Sequence, residues 1–188
     1  KKIHIIPNGV DVSRFQPLQK DTNLAKELGI TDKTVIGFIG SFAQYEGLEY
    51  IVDAVEILVN QGYKEIVALM VGDGAVADEV RQRVTDKNLD DYFIFTGRIP
   101  HEEVEGYYSL VDIAPLPRKG LPVCEMVSPL KPFEAMAMGK VVLASNVAAL
   151  AEIVQDGYNG VLFEKDNIKD LASKLEMLIN DPTFREQI

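Results

Sequence analysis

Short apolar runs alternate with helix-period segments along most of this chain, and that alternation leaves few folds open. The runs are TVIGFIG (34–40), EIVALMVG (65–72), YFIFT (92–96), DIAPL (112–116) and VVLAS (141–145). Most are continuously apolar, as in strands buried on both faces. Between the first two, Gly47 to about Asn60 places Leu48, Ile51, Val52, Val55 and Leu58 or Val59 on one stripe, closed by Gly62. Ala75–Lys87, His101–Leu110 and Asn167–Asn180 read as further helices, with shorter ones at Asn23–Leu28, Ala149–Val154 and from residue 182 onward. Small strands are expected at Lys2–Ile6 and Gly160–Phe163. Strand and helix alternate at least five times, which predicts an α/β fold with a doubly wound parallel sheet, a three-layer sandwich of Rossmann type. Ligands of such sheets gather at the carboxyl ends of the strands, near the point where strand order reverses.

Composition narrows the functional classes. The 188 residues are expected to form a single domain, 1–188, with a sizeable core. A formal net charge of −10 argues against general nucleic-acid binding, which needs a basic face. The single cysteine, Cys124, has no internal partner and no activating base beside it, so it reads as a packed or loop thiol in a reducing compartment. Two histidines about a hundred residues apart, His4 and His101, offer no zinc site, and no metal is expected. With no apolar run of 18 residues and no signal peptide, the chain is expected to be cytoplasmic. It opens inside an apparent strand without a Met and reads as a fragment of a longer protein.

The stretch from Arg118 to Asn146 has the grammar of a phosphate-holding unit. Ser128 suits an N-cap and Pro129 the first helical position. Leu130, Phe133, Ala137 and Met138 recur at helical spacing, and Gly139 is placed to end the helix. The N–H groups of Leu130 and Lys131, the helix dipole and the Lys131 ammonium would then converge on one anion. Glu134 lies a turn further on, within reach of hydroxyls on whatever carries the phosphate. The bland alternative is a capped amphipathic helix with a solvated Lys and Glu. Two loops belong to the same sheet edge. In GSFAQYEG, Gly40 ends a strand and the N–H groups around Gly40 and Ser41 can donate to an anion. In VGDG, Gly72 ends the next strand and permits close approach of a ligand, although a plain turn is an equal reading.

PLKPFEAMAMGKVVLAS resembles the donor-site helix of retaining group 1 glycosyltransferases of the GT-B type. IPNGVD (6–11), VGDG (71–74), FTGRIP (95–100), YYSLVDIAPLP (107–117) and DGYNGVLF (156–163) resemble further landmarks of that family, in its order. The resemblance implies the C-terminal, donor-binding half of a two-domain enzyme that moves a sugar from a nucleotide-diphosphate sugar to an acceptor, by family habit in glycan or cell-envelope polysaccharide synthesis. It implies that Arg98 and Ile99 flank the nucleotide base and that Glu134 contacts the ribose. A metal is not called for. The acceptor-binding domain is the partner such a half requires, any membrane contact would come through that half, and the fragment alone is expected to catalyse little or nothing.

Two departures from the family wording stand out. The positions that commonly carry Arg and Lys in the first loop hold Ser41 and Glu46, so Lys131 is the candidate substitute cation, with Arg118 or Lys119 next. Eight positions before Glu134 the family has a second glutamate beside the transferred sugar. Here that position is Met126, and Glu125 takes the role only if the loop is shifted by one residue. Lys131 and Glu125 are thus the catalytic candidates. A catalytically silent nucleotide-binding or regulatory module of the same fold is the rival reading.

Overall fold

The computed structural model of the chain describes residues 8–188, so the strand expected over Lys2–Ile6 and His4 within it lie outside the described residues. Six strands form one sheet: β1 (Thr34–Ile39), β2 (Ile66–Val71), β3 (Phe93–Gly97), β4 (Ile113–Leu116), β5 (Val141–Ser145) and β6 (Val161–Phe163). Their order is β3-β2-β1-β4-β5-β6 and every pairing is parallel, as the alternation predicts. β1 pairs with β2 along its length, from Thr34↔Ile66 to Ile39↔Val71, but meets β4 at a single pair, Ile36↔Ile113. Asp112 reinforces this thin seam: its carboxylate accepts the Val35 N–H at 2.7 Å and its own N–H reaches Val35 O at 2.9 Å. Strand order reverses between β1 and β4, which puts the ligand-binding edge there.

The helices are α1 (Thr22–Glu27), α2 (Leu48–Asn60), α3 (Ala77–Asp86), α4 (Val104–Leu110), α5 (Pro122–Met126), α6 (Lys131–Ala137), α7 (Ala148–Ala151), α8 (Ile168–Asn180) and α9 (Pro182–Gln187). Two cores cover the two faces. Alternate residues of β2 divide between them: Ile66, Ala68 and Met70 join one, Val67, Leu69 and Val71 the other. The first core takes Ile51 and Val55 of α2, Val80 and Val84 of α3, and Leu171 and Leu175 of α8. The second takes Ala25 of α1, Leu110 of α4, Ala135 of α6 and Leu150 of α7. Each fully buried aliphatic side chain contributes about 1.5–3 kcal/mol relative to exposure. This is why the strand runs carry no polar alternation.

Caps fix several boundaries. Asp21 accepts the Asn23 and Leu24 N–H groups, both at 3.0 Å, and starts α1. Gly139 ends α6 in the left-handed region, φ +67°. Its N–H reaches Met136 O and the Lys140 N–H reaches Ala135 O, both at 2.9 Å, a Schellman closure. The buried face of α6 is Pro132 and Ala135, continued by Met138; of the expected stripe Met138 alone is fully buried, Phe133 and Ala137 are half-buried and Leu130 is 49% exposed. Small side chains let this helix lie close to the sheet, and they hide the period. α5 was not expected either, since five residues carry no readable periodicity.

Candidate functional site

The loops that leave β1, β2 and β3 enclose a cleft of about 410 Å³ at the carboxyl edge of the sheet. Gly40 and Ser41 come from the first loop, Gly72 and Asp73 from the second, Arg98 and Ile99 from the third; Ile39, Val71 and Val104 complete the lining. Five of the sequence-predicted residues, Gly40, Ser41, Gly72, Arg98 and Ile99, are therefore brought together. Asp73 was missed, although it stands between the glycines of VGDG. Arg98 is largely exposed and lies 4.0 Å from the Asp73 carboxylate.

The glycines have a steric reason. A Cβ on Gly72 would lie 1.9 Å from Gly40 O, and one on Gly74 would lie 2.5 Å from Phe42 O. The Phe42 N–H donates to Asp73 O at 3.0 Å and the Gly40 N–H to Val71 O at 2.9 Å. The first two loops are thus welded together along the cleft rim, and only glycine fits the weld.

α6 approaches the rim from the other half of the sheet. Ser128 is not its N-cap. The helix is anchored on Leu130, whose carbonyl accepts from both Phe133 (3.0 Å) and Glu134 (3.2 Å), and no side chain caps it. Pro132, one position inside the helix, has no N–H to satisfy, so the proline-tolerant turn falls later than the Ser128-Pro129 pair suggests. Ser128 instead offers its carbonyl to the Asn8 side chain at 2.9 Å. Among the first three helical residues, Lys131 alone has a backbone N–H without a helical acceptor.

The Lys131 side chain runs along Gly40, where a Cβ would fall 2.4 Å from Lys131 Cε. Its ammonium lies 2.7 Å from Oε1 of Glu46 and 5.3 Å from the Phe38 ring centroid. Glu46 is 1% exposed, and Arg118 stands 3.4 Å from the same oxygen. Arg118 is itself buried, donating to Val127 O at 3.0 Å with its guanidinium 5.4 Å from the Tyr45 ring centroid. The third candidate cation, Lys119, is paired with Glu49 at 2.5 Å. Nothing in the sequence marks Glu46 for burial; as a lone acid before Gly47 it reads only as a missing lysine.

Glu134 accepts a hydrogen bond from the buried Tyr108 hydroxyl at 3.2 Å. Burial first, and then the neighbouring Glu134 charge, push the Tyr108 pKa well up, so it stays a donor. Glu125 lies on α5 with both oxygens engaged. One accepts the Ala148 N–H at 2.7 Å, at the start of α7, and the other pairs with Lys165 at 2.5 Å. Those two bonds, the backbone one foremost, hold its pKa below the usual carboxylate value. Cys124 is fully buried with its thiol toward Tyr45 O at 3.6 Å, and burial raises its pKa, as suits a packing residue. No helix among the described residues is long and apolar enough to cross a membrane.

Comparison with known proteins agrees with this architecture. The chain is 28% identical over 183 residues to the 2-deoxystreptamine glucosyltransferase of Streptomyces kanamyceticus, covering 96% of this chain and 46% of that one. The C-terminal domain of a glycosyl transferase group 1 family protein (LpcC) from Francisella tularensis superposes with a TM-score of 0.81 at 28% identity, over 96% of this chain and 92% of that domain. Anabaena HepE in complex with UDP-glucose has the same fold, with a TM-score of 0.83 at 22% identity, over 98% of this chain and 50% of HepE. The chain spans less than half the length of the first curated full-length relatives it matches. A family model described as glycosyl transferases group 1 matches residues 33–181, taking in every strand of the sheet and all but the first and last helices, and so the chain belongs to that family.

Proposed function

We propose that the chain is the donor-binding half of a retaining glycosyltransferase that moves a sugar from a nucleotide-diphosphate sugar to an acceptor in glycan or cell-envelope polysaccharide synthesis, at the cytoplasmic side. The observation that carries the reading is the cleft at the ends of β1–β3 with the Lys131 ammonium beside its Gly40 rim. In this reading the base lies against Arg98 and Ile99, and the diphosphate meets the Gly40–Ser41 backbone and Lys131. Glu134, oriented by Tyr108, takes the ribose hydroxyls. The leaving diphosphate gains negative charge as the glycosidic bond breaks, and a cation already in place stabilises that charge without reorganisation. Glu125, held by Lys165 and the Ala148 N–H, is the acid offered to a sugar hydroxyl. The nucleotide sugar is the substrate, and the reading invokes no metal. The acceptor is the task of a second domain.

A thermal-shift titration with UDP, GDP, ADP and CDP tests this. HepE holds UDP-glucose and the Streptomyces relative is a glucosyltransferase, so UDP is the first to try. A ligand at 100 times its Kd adds about 2.7 kcal/mol of apparent stability. One diphosphate should stabilise the chain, with the shift lost in Lys131→Ala and reduced in Glu134→Ala. No shift with any of the four at millimolar concentration would overturn the reading. Robust transfer by the 188-residue chain alone would overturn its assignment as a donor half.

A further inference from the structure

The proposed donor site calls for positive charge at the Gly40–Ser41 loop, yet that loop carries none of its own: Ser41 is neutral and Glu46 is an acid. Glu46 is also the most enclosed charged residue described, at 1% exposure. Its Oε1 accepts from Lys131 Nζ at 2.7 Å and lies 3.4 Å from Arg118. Its Oε2 is buried without a hydrogen-bond partner among the described residues. Burying a carboxylate this way is costly, and an apolar residue of similar size would fill the space more cheaply.

The gain lies in what the carboxylate holds. An ammonium on a four-carbon stem is a mobile point charge, whereas one tied to a buried carboxylate is fixed. Lys131 has three N–H donors. One is directed to Glu46, and no other acceptor is found for it among the described residues. Its side chain is 18% exposed and lies against Gly40, one of the cleft residues. One carboxylate facing two cations leaves the cluster with one net positive charge.

We infer that Glu46 is a positioning residue for anion recognition. It holds the Lys131 ammonium beside Gly40 and Ser41, so the charge for a diphosphate comes from α6 and not from the loop. The inference rests on the donor-site reading above. It also predicts a sign that simple charge counting gets wrong. Glu46→Gln raises the net positive charge of the cluster, so electrostatics alone would tighten diphosphate binding. Loss of positioning weakens it.

The test is isothermal titration of the 188-residue chain with UDP and UMP, GDP and GMP, and ADP and AMP. The variants are Glu46→Gln, Glu46→Asp, Lys131→Met and the Glu46→Gln/Lys131→Met pair. Wild type should prefer a diphosphate over its monophosphate. Glu46→Gln, and Glu46→Asp with its carboxylate drawn back by one methylene, should cut that preference about tenfold. In the Lys131→Met background, Glu46→Gln should have no further effect, because Glu46 acts only through the ammonium. The double variant buries no unpaired carboxylate, and Glu46→Asp keeps the charge, so one misfolded variant does not decide the outcome. Unchanged or tighter diphosphate binding in Glu46→Gln overturns the inference and leaves the donor-site reading standing. An equal loss on Glu46→Gln with Lys131 present and in the Lys131→Met background also overturns it, since that marks Glu46 as part of the scaffold alone. Failure of wild type to bind any diphosphate overturns both.

Discussion

Replacing Gly72 by alanine measures how firmly the first two loops of the cleft are joined. Gly72 has φ +134°, and a Cβ there would fall 1.9 Å from Gly40 O. Real Cβ atoms do not come within 3.0 Å, so the contact must open by about 1 Å. Little nearby can give: the Gly40 N–H is bonded to Val71 O and the Gly72 N–H to Gly97 O, each at 2.9 Å. Backbone strain of this kind costs about 1–3 kcal/mol, and overpacking adds about 1–3 kcal/mol. One kcal/mol moves the Tm of a domain this size by about 2–4 °C, so the combined cost of about 2–6 kcal/mol should lower the melting point of Gly72→Ala by about 4–24 °C. Gly97→Ala is the control. Gly97 has φ +70° but nothing within 4 Å of its Cβ, so it carries strain without a clash. Scanning calorimetry on the three chains separates the terms. A Gly72→Ala chain that melts within about 2 °C of Gly97→Ala would refute the steric account.

Other perturbations read other parts of the molecule. Asp53 takes a bidentate contact from Arg83 at 2.8 and 2.7 Å, with Lys87 at 3.4 Å, and so ties α2 to α3. Arg83 is 41% exposed and can resolvate, so Asp53→Asn should cost about 1–2 kcal/mol, seen as a lower urea midpoint at unchanged slope. The folded pKa of Glu125 lies below its usual 4.5, chiefly through the Ala148 N–H and then Lys165. The stability it contributes is therefore complete above that value and lost as pH falls through the lower folded one. The stability gap between wild type and Glu125→Gln should shrink from pH 6 to pH 3; a gap independent of pH would refute the assignment. Lys140 has its pKa lowered from 10.5 by burial, although its ammonium donates to Ser109 O at 3.1 Å. The unfolded chain thus holds that proton more readily, which costs stability at neutral pH and is relieved as pH rises through the folded value. Lys140→Met should melt higher at pH 7, with the gain closing toward pH 10.5.

How much of this was legible in the sequence follows from where the information lies. β1, β2, β4 and β5 announced themselves because strands buried on both faces need unbroken apolar runs, while the edge strand β3 was legible from its aromatic and β-branched residues; glycines such as Gly139 marked ends that only a positive φ can make. The start of α6 was misplaced because Ser128-Pro129 and Lys131-Pro132 offer two openings, and the helix uses the later one. α5 is too short for any period. The least legible residue was Glu46. Its meaning depends on Lys131, 85 positions away, and only the fold brings the two together. Glu125 poses the same difficulty, since both its partners, Ala148 and Lys165, come from later in the chain.

The single-pair seam between β1 and β4 has a consequence for how the molecule opens. Residues 34–97 close the β1–β2–β3 block through local crossovers, and residues 113–163 close the β4–β5–β6 block, so each is a candidate cooperative unit. Both cores span the two blocks, but within the sheet their hydrogen-bonded join leans on Asp112, whose carboxylate stands in for a ladder bond at Val35. Gly40 belongs to the first block and Lys131 to the second. A molecule resting on both would therefore act as a fastener across the sheet, and its arrival would be felt as slower amide exchange along β1 and β4, back to Val35 at the seam.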